Sequence, residues 1–251
     1  MNLCIGINSY PRVSQTMTSP VLMNIMEITP SILTADFCKL GETLGEAVKA
    51  GIEWFHMDIM DGNWVINKTI TFGPAIIKSV RDFLGDEAFI DCHLMITNAE
   101  LTWKQYIDAG ADMIICHVEA VNNFPNLISE AHSYGAKVGC VLNPETDIAE
   151  VLPLVPNLDL VLVMSVVPGK GGQSFMPSVE HKVREFRRII DLQIKDGGKK
   201  TKLMIDGGIK HHNADLVSSW GVDIAVVGSG LINTKGSIGE NLVQIKKSIK
   251  T

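Results

Sequence analysis

The sequence predicts a single (β/α)₈ barrel. Three observations carry this. One phrase recurs along the chain: an amphipathic helix, a glycine, an acidic or small residue, then a short apolar strand. Eight such units fit into about 225 residues without a linker or a break in composition, which is the arithmetic of this barrel. The first strand is followed by Ser31-Ile32-Leu33-Thr34-Ala35-Asp36, not by the glycine-rich turn that would open a doubly wound sheet.

Strands are expected near 26–33, 53–60, 88–95, 112–117, 137–142, 159–165, 202–206 and 223–228, with helices near 36–50, 74–84, 99–109, 123–134, 146–152, 178–195, 211–219 and 238–249. Asp36 is placed to cap the first helix. That helix stops at Lys49-Ala50-Gly51-Ile52-Glu53, which leads into the strand starting at Trp54. The same punctuation returns at Asp108-Ala109-Gly110-Ala111-Asp112, at Tyr134-Gly135-Ala136-Lys137 and at Trp220-Gly221-Val222-Asp223. Each glycine stands where a helix ends in a left-handed residue. The strands are short and almost wholly apolar, as befits a parallel sheet covered on both faces.

Composition narrows the function classes. The chain has 251 residues, with 22 basic and 28 acidic side chains and a net charge of −6. That balance argues against a nucleic-acid binder and against a polybasic membrane anchor. No run reaches the ~18 apolar residues of a membrane-spanning helix. The chain is long enough to bury a large core without disulfides or structural metals. Five cysteines, at 4, 38, 92, 116 and 140, make an odd set with no C-x-x-C pair; a reducing, cytoplasmic setting fits. Cys92 and Cys116 each adjoin a histidine in a strand and read as buried fillers facing away from it. The first 24 residues are rich in Asn, Ser, Thr and Pro, with Arg12 as the one basic residue. They lack the charged lead-in of a secretory signal, so 1–24 is read as a disordered extension, or as sequence upstream of a start at Met23 or Met26, and 25–251 as the barrel.

Polar residues interrupt the apolar strands at their C-terminal ends, the rim where such barrels carry function. Strand two ends His56-Met57-Asp58-Ile59-Met60-Asp61-Gly62, strand three Asp91-Cys92-His93-Leu94-Met95, strand four at His117 and strand seven at Asp206-Gly207-Gly208. Alternation places His56, Asp58 and Met60 on one face of their strand, and Asp91, His93 and Met95 on one face of theirs. Burying so many imidazoles and carboxylates is costly unless they bind something. Two imidazoles with two carboxylates suit one divalent ion: Zn²⁺, Fe²⁺, Mn²⁺ or Co²⁺.

Glycine clusters follow the last three strands: Pro168-Gly169-Lys170-Gly171-Gly172-Gln173, Gly207-Gly208 and Gly228-Ser229-Gly230. Loops at these places commonly hold a phosphate through backbone N–H groups. The three clusters together read as an anion site, with Lys170 able to add charge.

These motifs, with the opening run Pro30-Ser31-Ile32-Leu33-Thr34-Ala35-Asp36-Phe37 and with His117-Val118-Glu119, Met164-Ser165-Val166, Asp206-Gly207-Gly208-Ile209 and Val227-Gly228-Ser229, resemble the ribulose-phosphate 3-epimerase family, including its allulose-6-phosphate branch. The resemblance runs from about residue 25 to the end. Two places depart from the family pattern: the loop Asn63 to Gly73 is about two residues longer, with Ile66 in place of a usual proline, and the phosphate loop has Val167 and Lys170 where asparagine and phenylalanine are common. Both border the substrate.

The resemblance implies a metal-dependent isomerase that inverts C3 of a ketose phosphate, D-ribulose 5-phosphate to D-xylulose 5-phosphate in the pentose phosphate pathway. It implies His56, Asp58, His93 and Asp206 as metal ligands, and Asp58 and Asp206 as the acid–base pair. Ser31, His93, Gly169, Lys170, Gly171, Gly172, Asp206, Gly207, Gly208, Gly228 and Ser229 are the implied substrate contacts. Met60, Met95 and Met164 would form a water-excluding ceiling, and His117 and Glu119 would orient the ligands. Two carboxylates suit a reaction that removes a proton from one face of a carbon and returns one to the other. The resemblance further implies a homo-oligomer, a dimer or hexamer, with a sugar phosphate as its small-molecule partner. Two rival readings are a hexulose-phosphate epimerase and a non-catalytic sugar-phosphate-binding barrel. Decarboxylation is disfavoured, because Asp91-Cys92-His93 lacks the lysine such barrels use as a proton donor.

Overall fold

The computed structural model describes residues 26–250; the expected extension 1–24 lies outside the described residues. Eight parallel strands form one sheet: β1 (Glu27–Pro30), β2 (Trp54–Met60), β3 (Phe89–Met95), β4 (Met113–His117), β5 (Lys137–Leu142), β6 (Leu160–Met164), β7 (Lys202–Asp206) and β8 (Ile224–Val227). Their spatial order is β1-β8-β7-β6-β5-β4-β3-β2. Between β1 and β2 the barrel closes through a single parallel bridge, Ser31 to His56, and a hydrogen bond of 2.7 Å from Thr29 Oγ1 to the Trp54 carbonyl.

Seven α-helices wrap the sheet among the described residues: α1 (Leu40–Lys49), α2 (Pro74–Leu84), α3 (Ala99–Asp108), α4 (Phe124–Ser133), α5 (Glu180–Lys195), α6 (Ala214–Ser219) and α7 (Ile238–Ser248). The helix expected over 146–152 does not form. Two 3₁₀ turns, Ile148–Glu150 and Val155–Asn157, join β5 to β6 instead. Pro153 and Pro156 explain this. A proline offers no N–H to a helix and disfavours helical geometry in the residue before it. Asp36 caps a 3₁₀ turn over Phe37–Lys39, accepting from Cys38 N, one turn ahead of α1. None of the described helices is long and apolar enough to cross a membrane.

Alternation along each strand divides the apolar residues between two cores. One face, including Phe55, Ile90 and Ile114, packs outward against helix residues such as Trp103 of α3. Cys92, Cys116 and Cys140 lie in this outer layer, all buried and free, and burial raises the Cys116 thiol well above its ordinary range. The other face fills the barrel interior with Met113, Ile115, Val141, Leu160, Leu162, Met204 and Val226. Gly139 on β5 keeps that interior passable: a Cβ there would meet Ile115 Cγ1 at 3.0 Å and Leu160 Cδ2 at 3.1 Å. Gly139→Val is therefore expected to overpack the barrel and cost about 1–3 kcal/mol, read as a lower urea midpoint. A variant as stable as the parent would show that the two neighbours can give way.

Candidate active site

Register brings the polar residues together. On the paired strands β2 and β3, His56 lies beside Asp91 and Asp58 beside His93. All four point to the interior face, and all four are buried. Asp206 ends β7 opposite Met164 of β6. Ser165 pins this strand end: its N–H donates to the Asp206 carbonyl at 2.7 Å, and its hydroxyl lies 2.9 and 2.8 Å from the carbonyls of Asp206 and Gly207.

His56, Asp58, His93 and Asp206 each offer one ligand atom, all within 4.8 Å of one another. His93 Nδ1 lies 3.2 Å from Asp58 Oδ1, and His56 Nε2 lies 3.4 Å from the same oxygen. Ser31 donates to the other oxygen, Oδ2, at 2.5 Å. His56 Nε2 is buried without a hydrogen-bond partner. A cation shared by these donors answers that orphaned nitrogen, and two imidazoles with two carboxylates form a donor set proper to a divalent ion. The residues fit a metal.

The surroundings hold the histidines in place. His56 Nδ1 lies 2.6 Å from Asp91 Oδ1, while Asp91 Oδ2 accepts from Trp54 Nε1 at 2.5 Å. His93 Nε2 lies 2.9 Å from His117 Nε2, and His117 Nδ1 lies 3.1 Å from Glu119 Oε2. The Trp64 ring lies on His117 with centroids 4.2 Å apart.

The electrostatics separate the two carboxylates. Burial pushes the Asp58 carboxyl up, but His56 and His93 outweigh it and hold Asp58 well below the usual carboxylate range. Asp206 moves the other way, raised first by burial and then by the negative charge of Asp58. Burial lowers His93. It also works against the charged form of His56, but Asp91 and Asp58 prevail and raise that imidazole. One carboxylate held low beside another raised to about 7 is the separation a paired acid and base uses.

A cavity opens over these groups, lined by Ser31, Asp58 and Asp206, by Met60, Met95 and Met164, and by the three glycine loops. Gly169, Gly171, Gly172, Gly207, Gly208, Gly228 and Ser229 all reach it. So does Lys170, the one cationic side chain among the described residues lining it. Gly208 has φ 67°, and a Cβ there would meet Phe175 N at 2.5 Å, so only glycine keeps this stretch of backbone close to the cavity. His56 and His93 do not line the cavity; both are fully buried. The loop after β2 reaches across to the loop after β6, where Asn67 Nδ2 donates to the Gly169 carbonyl at 2.8 Å. Its Val65 packs with Met60, Met95, Leu33 and Trp64.

Sequence reasoning noticed Asp91 but gave it no role, and it missed Trp54, Trp64 and Asn67. Asp91 carried a signal, as a carboxylate two residues before His93 on the same strand face. Trp54 and Asn67 carried none, because their partners are set by cross-strand register and by the path of a loop.

Residues 27–232 match the model of the ribulose-phosphate 3-epimerase family. A ribulose-phosphate 3-epimerase of Schizosaccharomyces pombe is 39% identical over 210 residues, 83% of this chain and 88% of that protein. One from Escherichia coli K12 is 39% identical over 206 residues, 82% and 88% of the two chains. One from Synechocystis is 40% identical over 209 residues, 82% and 87%. Among solved structures, 3-hexulose-6-phosphate synthase of Salmonella typhimurium superposes with a TM-score of 0.61 at 16% identity, covering 89% of this chain and 98% of that one. Tryptophan synthase of Mycobacterium tuberculosis does so with a TM-score of 0.63 at 12% identity, covering 91% and 94%. These two likenesses are of fold alone.

Proposed function

The chain belongs to the ribulose-phosphate 3-epimerase family, and from that premise we propose that it interconverts D-ribulose 5-phosphate and D-xylulose 5-phosphate with one divalent ion held by His56, Asp58, His93 and Asp206. The observation that carries the proposal is the convergence of these four donors within 4.8 Å, two of which, Asp58 and Asp206, line one cavity together with the glycine loops.

When bound, the ion supplies Lewis-acid stabilisation of the negative charge that gathers on oxygen as C3 loses its proton. The chain does the rest. Asp58 and Asp206 stand on strands β2 and β7 of the barrel wall and serve alternately as base and acid, one removing the C3 proton and the other supplying a proton to the opposite face. Ser31, whose hydroxyl donates to Asp58 Oδ2, holds that carboxylate in position. Met60, Met95 and Met164 keep water from the reacting carbon. Backbone of the loops after β6, β7 and β8 holds the phosphate, with Lys170 supplying a compensating charge in a chain of net charge −6.

The decisive experiment follows the C3 hydrogen in deuterium oxide. The substrate should gain deuterium at C3 while epimerising. Treatment with a strong chelator should stop both processes, and a divalent ion should restore them. Binding without exchange would leave a non-catalytic sugar-phosphate barrel. Faster turnover of allulose 6-phosphate would overturn the choice of a five-carbon substrate.

A further inference from the structure

The two buried imidazoles His93 and His117 stand in series, with the carboxylate of Glu119 at the far end. Their Nε2 atoms lie 2.9 Å apart. With both rings neutral, one Nε2 must carry a hydrogen and the other must accept it. Two arrangements are open. In the first, His93 donates to His117, His117 carries its own proton on Nδ1, and His93 Nδ1 is bare. In the second, His117 donates to His93, so His117 Nδ1 is bare and His93 Nδ1 carries a proton.

Glu119 favours one of them. Its Oε2 lies 3.1 Å from His117 Nδ1, and an ionised carboxylate can only accept. A bare Nδ1 facing it would set lone pair against lone pair. Asp58 Oδ1, 3.2 Å from His93 Nδ1, makes the opposite demand from the other end. A cation held by the cluster would engage that oxygen and need His93 Nδ1 bare, so with the ion present the ion and Glu119 both favour the first arrangement. Glu119 is itself held from behind. Its Oε1 accepts from Asn143 N at 2.8 Å and from the Thr146 hydroxyl. The loop that provides these donors is gripped by the buried Lys182 of α5, whose ammonium donates to the carbonyls of Asn143, Pro144 and Thr146.

We propose that Glu119 is a positioning residue that fixes the tautomers of His117 and, through it, of His93, so that His93 presents a bare Nδ1 to the ion. The inference rests on the proposed metal site. It makes an unusual demand of two variants. In Glu119→Gln, the two donors at Oε1 keep the amide oxygen on their side and turn the NH₂ toward His117 Nδ1. The isosteric change then reverses the proton order and puts a hydrogen on His93 Nδ1, where the ion must bind. In Glu119→Ala no group at that end imposes either order. The near-perfect mimic should therefore bind metal less well than the truncation.

The test uses full-length protein stripped with a chelator. Zn²⁺ affinity is measured by competition with a chromophoric chelator, and the tautomers of ¹⁵N-labelled histidines are read from long-range ¹H–¹⁵N spectra. Glu119→Gln is expected to lose about 10–100-fold in affinity and to show the hydrogen of His93 on Nδ1; Glu119→Ala should lose less. Wild-type affinity in Glu119→Gln, or a larger loss in Glu119→Ala, would overturn the inference. If the parent protein took up no ion, the proposed function would fall, and the inference about the ion with it; the spectra would still report separately whether Glu119 orders the two imidazoles.

Discussion

Asp206→Asn is expected to lower epimerisation by about 10²–10⁴-fold, the usual scale for losing a positioned acid–base group. The carboxamide has nearly the shape of the carboxylate. The backbone at this position is held by Ser165 through the carbonyls of Asp206 and Gly207, so the strand end and the neighbouring Gly207 and Gly208 should stay in place. What is lost is a group able to take up and release a proton. The two-carboxylate scheme adds a sharper expectation. Asp58 remains able to act on the epimer whose C3 hydrogen faces it, so one substrate epimer should still exchange with deuterium without inverting, and the other should not. Epimerisation within tenfold of the parent would sink the scheme.

His56→Ala should be the most damaging single change because it acts on function and stability together. It removes a donor of the proposed metal site, so metal bound per chain and turnover should both fall to background. It also leaves Asp91 buried with its Oδ1 partner gone and only Trp54 Nε1 on the other oxygen. Breaking a buried pair by removing one member typically costs about 3–5 kcal/mol. Urea unfolding of metal-free protein isolates this second effect. A variant as stable as the metal-free parent would mean that the Asp91–His56 contact contributes nothing to the fold.

The strand count and the barrel class were legible because each depends on local chemistry, whereas the selection of His56, Asp58, His93 and Asp206 among the buried polar residues came from the family resemblance. Alternation in His56-Met57-Asp58 and in Asp91-Cys92-His93 is written in the chain itself, and their glycine and proline punctuation marks the element ends. The stretch 146–152 misled because its polar and apolar spacing resembles one helical turn, while the decisive residues, Pro153 and Pro156, lie just beyond it. The supporting contacts were not legible at all. Trp54 reaches Asp91 only because β2 and β3 align Trp54 with Phe89 and hence His56 with Asp91. Asn67 meets Gly169 from 102 positions away, through the course of a loop that no periodicity encodes.

Seven of the eight junctions in the barrel are ladders of paired backbone; the eighth, between β1 and β2, has one bridge, at Ser31 and His56. That weak junction runs directly beneath the site. An occupant touching Ser31 and Ser229 on one side and Asp58 on the other spans it like a stitch across an open edge. Amides of β1 and β2 beside the junction should therefore exchange with solvent faster than those of β4 to β6 in the free protein, and slow markedly once the cavity is filled. In that sense the substrate completes the cylinder that receives it.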